Sequence, residues 1–117
     1  MTASQIADIL HKFIFSWTNE VELQNSIANI FEREGVQFQR EVKLNSRDRI
    51  DFLVDGIGIE CKVGHPTTQV IRQLHRYVES PLVKEVALVT TRQRHNEIPA
   101  VLGEKRITVI YLLESMF

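Results

Sequence analysis

Two carboxylates and a lysine stand at a spacing suited to metal-assisted phosphate chemistry: Asp51, Glu60 and Lys62. They fall within Arg49-Ile50-Asp51-Phe52-Leu53-Val54-Asp55-Gly56-Ile57-Gly58-Ile59-Glu60-Cys61-Lys62-Val63. Asp-Gly between two apolar, β-branched runs is a strong hairpin signal. Because side chains alternate across a strand, Ile50, Phe52 and Val54 are expected on one face and Asp51 on the other. In the second run Ile57, Ile59, Cys61 and Val63 share the apolar face, and Gly58, Glu60 and Lys62 share the opposite one. Both carboxylates and the ammonium are thereby expected on one side of a hairpin whose other side is apolar. Hard oxygen ligands beside a lysine suit a divalent cation and a phosphate.

Each of these residues has a plainer reading. Asp51 or Glu60 alone would be a surface acid on a half-exposed sheet; together, beside Lys62 and on a hairpin, they read as metal ligands. Lys62 can orient or deprotonate an attacking water and stabilise charge on a phosphorane-like transition state. It can equally form a same-face salt bridge to Glu60, and the two roles are compatible. Other chemistries fail on spacing. No third glycine and no Gly-Lys-Ser/Thr follows Gly56-Ile57-Gly58. His11, His65, His75 and His95 are too scattered for a zinc site. Cys61 points to the apolar face, as a structural thiol would.

The elements that must position the hairpin follow from periodicity. Thr2 to Trp17 reads as a helix, capped by Thr2 or Ser4, with Ile6, Ile9, Leu10, Phe13, Ile14 and Trp17 forming a stripe that serves either the core or a subunit interface. A second helix is expected from about Glu20 to Glu34, with Asn19 and Glu22 at capping-box spacing and Gly35 past its end. Val36 to Leu44 reads as a strand, followed by the turn Asn45-Ser46-Arg47-Asp48 and the hairpin. Thr67 or Thr68 would cap a third helix reaching Glu79, which Ser80-Pro81 stops. A strand from Glu85 to Thr91, a short helix from about Glu97 to Leu102 and a last strand from Ile107 to Leu113 complete an α/β order, ααβββαβαβ.

With 117 residues the chain is expected to form one domain spanning 1–117. Hydrophobic residues make up 44% of it, enough for a core, and the net charge of −1 carries no global nucleic-acid signature. Polyanion binding would have to come from local basic patches and from metal ions cancelling the clustered acids. A single cysteine, no basic leader and no apolar run of membrane-spanning length lead to the expectation of a soluble, cytoplasmic protein with no membrane partner.

Asp51 followed by Glu60-Cys61-Lys62 resembles the signature of the PD-(D/E)XK nuclease superfamily, with Ile50 where the pattern carries a loosely kept proline. The order αβββαβ, from about Glu20 to Arg92, resembles the restriction-endonuclease-like core, a mixed sheet flanked by helices. The resemblance implies that Asp51 and Glu60 bind Mg²⁺, with Mn²⁺ substituting, and that the backbone carbonyl of Cys61 joins them. It makes Glu22 a candidate third carboxylate, in competition with its local role in the capping box. Gln73 and Tyr77, four apart on one helix face, resemble the Gln-xxx-Tyr motif of RecB-type and related nucleases. Their plainer reading is a core tyrosine and an exposed glutamine.

What the resemblance implies is a Mg²⁺-dependent deoxyribonuclease giving 5′-phosphate and 3′-hydroxyl products. Without an appended DNA-binding domain it would be structure-specific, not sequence-specific, and a homodimer, as in the Holliday-junction resolvases of this superfamily. The first helix or the tail Leu112-Leu113-Glu114-Ser115-Met116-Phe117 is the expected interface. Of the basic residues, Arg49 and Arg76 are the expected DNA contacts; Arg47, Arg72, His75, Arg92, Arg94 and His95 are further basic positions around them. The alternatives are a non-cleaving nucleic-acid-binding module and a small nuclease subunit of a larger DNA-processing complex.

Overall fold

The computed structural model describes residues 1–113; residues 114–117, the end of the tail expected as an interface, lie outside that range. The elements run α1 (Ala3–Leu10), α2 (Glu20–Arg33), β1 (Gln39–Lys43), β2 (Arg49–Val54), β3 (Ile57–Lys62), α3 (Thr67–Tyr77), β4 (Glu85–Thr90), a 3₁₀ turn (Gln93–Glu97), β5 (Val101–Leu102) and β6 (Lys105–Tyr111). The Cα radius of gyration, 13.2 Å, is that of one packed domain of this length.

The six strands form one mixed sheet in the order β1-β2-β3-β4-β6-β5. The β1, β2 and β3 strands are antiparallel neighbours, β3, β4 and β6 run parallel, and β5 pairs antiparallel with β6. All six residues of β3 are buried, because helices cover both faces of the sheet at this strand. On one face α1 and α2 bring Ile6, Leu10, Leu23, Ile27 and Phe31 onto Phe52, Ile59, Cys61 and Val89. On the other, α3 brings Val70, Leu74 and Tyr77 onto Val86, Leu88 and Ile107.

The ends of α2 follow its sequence. The Asn19 side chain accepts the Glu22 N–H at 2.9 Å. At the far end Val36 N–H reaches Phe31 O and Gly35 N–H reaches Glu32 O, the paired bonds of a Schellman cap. Thr2 and Gln5 close a capping box on α1.

Several expectations change: the third helix ends at Tyr77 and not Glu79, and the last strand runs Lys105–Tyr111 and not Ile107–Leu113. The first helix stops at Leu10, where Lys12 and Phe13 N–H groups tighten onto Ile9 and Leu10 carbonyls. The aromatic, β-branched run that follows is a poor helix former; Phe15 is buried outside any helix, while Ile14 is 84% exposed. The third helix is preceded by Pro66, with no side-chain cap from Thr67 or Thr68. The strand expected from Val36 begins at Gln39, Val36 being used in the helix cap. The helix expected at 97–102 is absent. Pro99 forces Ile98 into extended backbone (φ −63°, ψ 136°), so a 3₁₀ turn precedes it, and Gly103 lies in the turn of the β5–β6 hairpin. Among the described residues no helix is long and apolar enough to cross a membrane.

Candidate active site

The site is built where the β2–β3 hairpin opens. Its turn is Asp55-Gly56, both residues at positive φ (50° and 80°), the two-residue conformation for which Asp-Gly is suited. From there the ladder runs Val54↔Ile57, Leu53↔Gly58 and Phe52↔Ile59, then stops. The next pair would be Asp51 and Glu60. There side chains replace the backbone bonds: the Asp51 carboxylate accepts the Cys61 N–H at 2.8 Å, and the Glu60 carboxylate accepts the Asp51 N–H at 3.3 Å. On the other side of β2 the register to β1 skips the same level, where Glu41 takes φ 51°.

This irregularity overturns one expected face. Phe52 and Val54 pack toward α1 and α2, but Ile50 packs with Val70, Leu74 and Tyr77 on the α3 side. Gly58 makes room for it: a Cβ there would lie 2.4 Å from Ile50 Cδ1.

Glu60 and Lys62 face α3, as alternation requires, and both are buried. Lys62 Nζ stands 3.4 Å from Glu60 Oε2. The Tyr77 hydroxyl donates to Glu60 Oε2 at 2.9 Å and lies 3.2 Å from Arg49 O; Gln73 Nε2 donates to that hydroxyl at 2.6 Å. Asp51, Glu60, Lys62, Gln73 and Tyr77 therefore form one connected group.

Its electrostatics are those of acids short of positive charge. Burial first, then the Asp51 charge, pushes the Glu60 carboxyl up to about 8, against the opposing pull of Lys62 and the Tyr77 hydrogen bond. Burial also raises Asp51, opposed by the Cys61 N–H and by its hydrogen bond to Glu60. The same burial raises the Cys61 thiol and the Tyr77 phenol, and Cys61 is a buried structural thiol.

The two acids of the first turn of α2 part company. Glu22 turns back, and its Oε2 accepts the Thr18 N–H at 3.0 Å, so it serves the helix start and not the hairpin. Glu20 reaches the end of β3: its Oε1 accepts the Val63 N–H at 3.0 Å and the His65 Nε2–H, and its charge helps raise Asp51. The spacing held a usable signal, because an acid three residues after an N-cap is already committed to the helix start.

Among the described residues no group of three or more His, Cys, Asp or Glu side chains converges as a metal-binding cluster. Two carboxylates nevertheless suit Mg²⁺, which keeps several waters and takes one or two carboxylates plus substrate oxygens. The donor set that fits is Asp51, Glu60 and the Cys61 carbonyl. The raised carboxyl pKa values mark where a cation would relieve the site.

Lys62 also opens onto a cleft of about 230 Å³, whose other lining includes His65 and, along α3, Gln69, Arg72, Gln73 and Arg76. The helical four lie at i, i+3, i+4 and i+7, a single face legible in the sequence as a donor stripe. Arg76 is held by Asp48, Nε to Oδ1 at 3.0 Å. Arg49 is exposed and 3.6 Å from Glu41. Two other basic residues turn inward: Arg92 Nη1 donates to His65 O, and His95, fully buried, bridges Thr90 Oγ1 and His65 O. The chain matches no protein-family model, no curated protein and no solved structure.

Proposed function

We propose that the protein is a Mg²⁺-dependent nuclease that hydrolyses DNA phosphodiester bonds on a restriction-endonuclease-like core. The observation that carries this reading is the pairing of Asp51 and Glu60 across the opened hairpin, with Lys62 3.4 Å from Glu60. The αβββαβ run from α2 through β4 supports it too. So does the position of the site at the carboxyl ends of the parallel pair β3 and β4, where open α/β sheets form ligand crevices.

In this reading Asp51, Glu60 and the Cys61 carbonyl hold the cation, with Mn²⁺ able to replace Mg²⁺. Bound there, it would polarise the scissile phosphate and acidify a water. Lys62 orients the attacking water and balances charge on the pentacovalent phosphorus. Tyr77 and Gln73 fix the Glu60 carboxylate. Arg76, steadied by Asp48, and exposed Arg49 meet the DNA backbone, contacts that position a strand without reading its sequence. Structure-specific cutting is the corresponding expectation.

A panel of single-stranded, duplex, nicked and four-way-junction DNA, with Mg²⁺, Mn²⁺ or EDTA, tests the reading beside Asp51→Ala and Lys62→Ala. Metal-dependent cleavage lost in both variants supports it; cleavage that survives Asp51→Ala sinks it. One observation favours the second reading, a binding module that does not cut. Both Glu60 oxygens and one Asp51 oxygen are already engaged within the protein. Binding without cleavage in any metal would select it.

The homodimer belongs to the proposal as well. The buried stripe of α1, Ile6 and Leu10, is used in the chain's own core. An interface would therefore draw on exposed apolar residues such as Ile14, Val21 and Leu113. A monomeric mass by light scattering at micromolar concentration excludes it. Capture of partners from the native host tests membership of a larger DNA-processing complex.

A further inference from the structure

We propose that the cleft beside α3 is a second phosphate site, holding an internal phosphodiester next to the scissile one, with His65 and Arg72 as its contacts and Glu20 as the residue that positions His65. The inference rests on the nuclease reading for the identity of its ligand, and on the cleft's own chemistry for the rest.

Apart from Val70, every side chain lining the cleft carries N–H donors, and none is an acid. The acids that balance the lining stand behind it: Glu60 behind Lys62, Asp48 behind Arg76 and Glu20 behind His65. Arg72 is exposed and free of any ion pair among the described residues. A cleft rich in N–H donors, free of carboxylates and continuous with Lys62 fits phosphate oxygens, which only accept.

His65 is held in the cleft wall by an unusual amount of structure. Its backbone lies at φ 72°, directly after Gly64 at φ 79°, a conformation that disfavours a side chain with a Cβ. Its carbonyl is fixed by Arg92 Nη1 at 2.7 Å and by His95 Nε2 at 2.9 Å. Its ring is fixed by Glu20, which accepts the Nε2–H; the protonated ring, paired with that carboxylate, keeps its Nδ1–H for a phosphate oxygen. Strain held this firmly around a ring lining a cleft points to a use for the ring. A glycine would suit the backbone better.

That last point gives the test. His65→Gly relieves the backbone and removes the ring; Arg72→Ala changes an exposed side chain. The 117-residue chain is titrated in EDTA with a labelled thymidine oligonucleotide across a salt series, and cleavage is measured separately with Mg²⁺. Each variant is expected to weaken binding about 10-fold. Arg72→Ala should also lower the salt slope by about 1. In cleavage the loss should fall on KM with kcat kept, and His65→Gly should melt no earlier than wild type. Glu20→Gln, which keeps an acceptor for the ring, should retain more binding than Glu20→Ala. Binding and KM unchanged in both His65→Gly and Arg72→Ala overturn the site. A strand that binds tightly only when it carries a terminal phosphate overturns the assignment to an internal phosphodiester. If wild type binds through Arg72 and His65 but never cleaves, the nuclease reading fails and the phosphate site stands. If it cleaves and the variants behave as wild type, the phosphate site alone fails.

Discussion

The Asp51 carboxylate accepts the Cys61 backbone N–H at 2.8 Å, at the level where the β2–β3 ladder stops. The same side chain thus has two tasks. It closes the break in the ladder by satisfying the Cys61 N–H, and in the proposed nuclease it also holds the cation.

Those tasks separate in Asp51→Asn. The amide oxygen can still accept the Cys61 N–H, and the substitution removes a carboxylate whose charged form is disfavoured by burial. The melting temperature in EDTA is expected to stay level or rise, while metal-dependent cleavage falls by more than about 100-fold. Thermal melts and initial rates on one preparation check both. An early melt in EDTA would show that the carboxylate is needed for the fold.

The acid pair also predicts how stability changes with pH. Burial, then the Asp51 charge, pushes the Glu60 carboxyl up from the ordinary 4.5 to about 8, so the folded state holds its proton more tightly than the unfolded state. That contribution is fully present below the unfolded value and is lost as pH rises toward and through about 8. In EDTA the denaturation midpoint is expected to fall across this window, with a slope of at most about one proton. Glu60→Gln should flatten it. Added Mg²⁺ should stabilise the protein more at the upper end of the window than at the lower, because the cation competes with the proton. A Mg²⁺ effect independent of pH would argue against Glu60 as a ligand.

The hairpin and its turn were readable because Asp55-Gly56 and the apolar alternation are local signals. So were both ends of α2, where Asn19 and Gly35 act on neighbouring backbone. What strict alternation could not supply is the switch at Ile50, since it depends on an irregular level shared by Asp51, Glu41 and Glu60 on three strands. Phe13, Ile14 and Trp17 match a helical period, which carries the expected first helix too far; the chain packs Phe15 inward instead. Pro99 is the local reason against a helix over 97–102, because the residue before a proline is pushed out of the helical region. In the site, Asp51, Glu60 and Lys62 were found from spacing alone, whereas the Glu20–His65 contact joins residues 45 apart and leaves no periodic trace.

Gly58→Ala tests the face switch. The added methyl would meet Ile50 Cδ1 at 2.4 Å, with Val83 Cγ1 and Cγ2 at 3.4 Å. The end of the Ile50 side chain must move within a fully buried cluster, so a loss of about 1–3 kcal/mol is expected from denaturant melts. In Ile50→Val, which lacks Cδ1, the same substitution should cost less. Equal costs in both backgrounds would place the strain elsewhere.

Tyr77→Phe removes one hydroxyl from the centre of the network. The ring remains, but Glu60 Oε2 loses its donor and Gln73 Nε2 its acceptor. Stability is expected to drop by about 1–2 kcal/mol. Cleavage should fall about 10-fold or more, chiefly in kcat, because the Glu60 carboxylate is freed to turn away from the cation position. A change in KM alone would mean that Tyr77 serves substrate binding and not the orientation of Glu60.

The two acids at the start of α2 should answer differently to removal. Glu22 bonds the Thr18 N–H and belongs to the helix start, so Glu22→Ala is expected to cost about 0.5–1 kcal/mol and to leave cleavage unchanged. Glu20 supports the Val63 N–H and the His65 ring at the end of the strand that carries Glu60 and Lys62. Glu20→Ala is therefore expected to reduce cleavage about 10-fold, beyond what its stability loss explains at a temperature where both variants stay folded. Denaturant melts and steady-state rates on the pair decide the matter. If Glu22→Ala abolishes cleavage while Glu20→Ala spares it, the geometry of the helix start does not describe the working enzyme, and Glu22 is the carboxylate that serves the site.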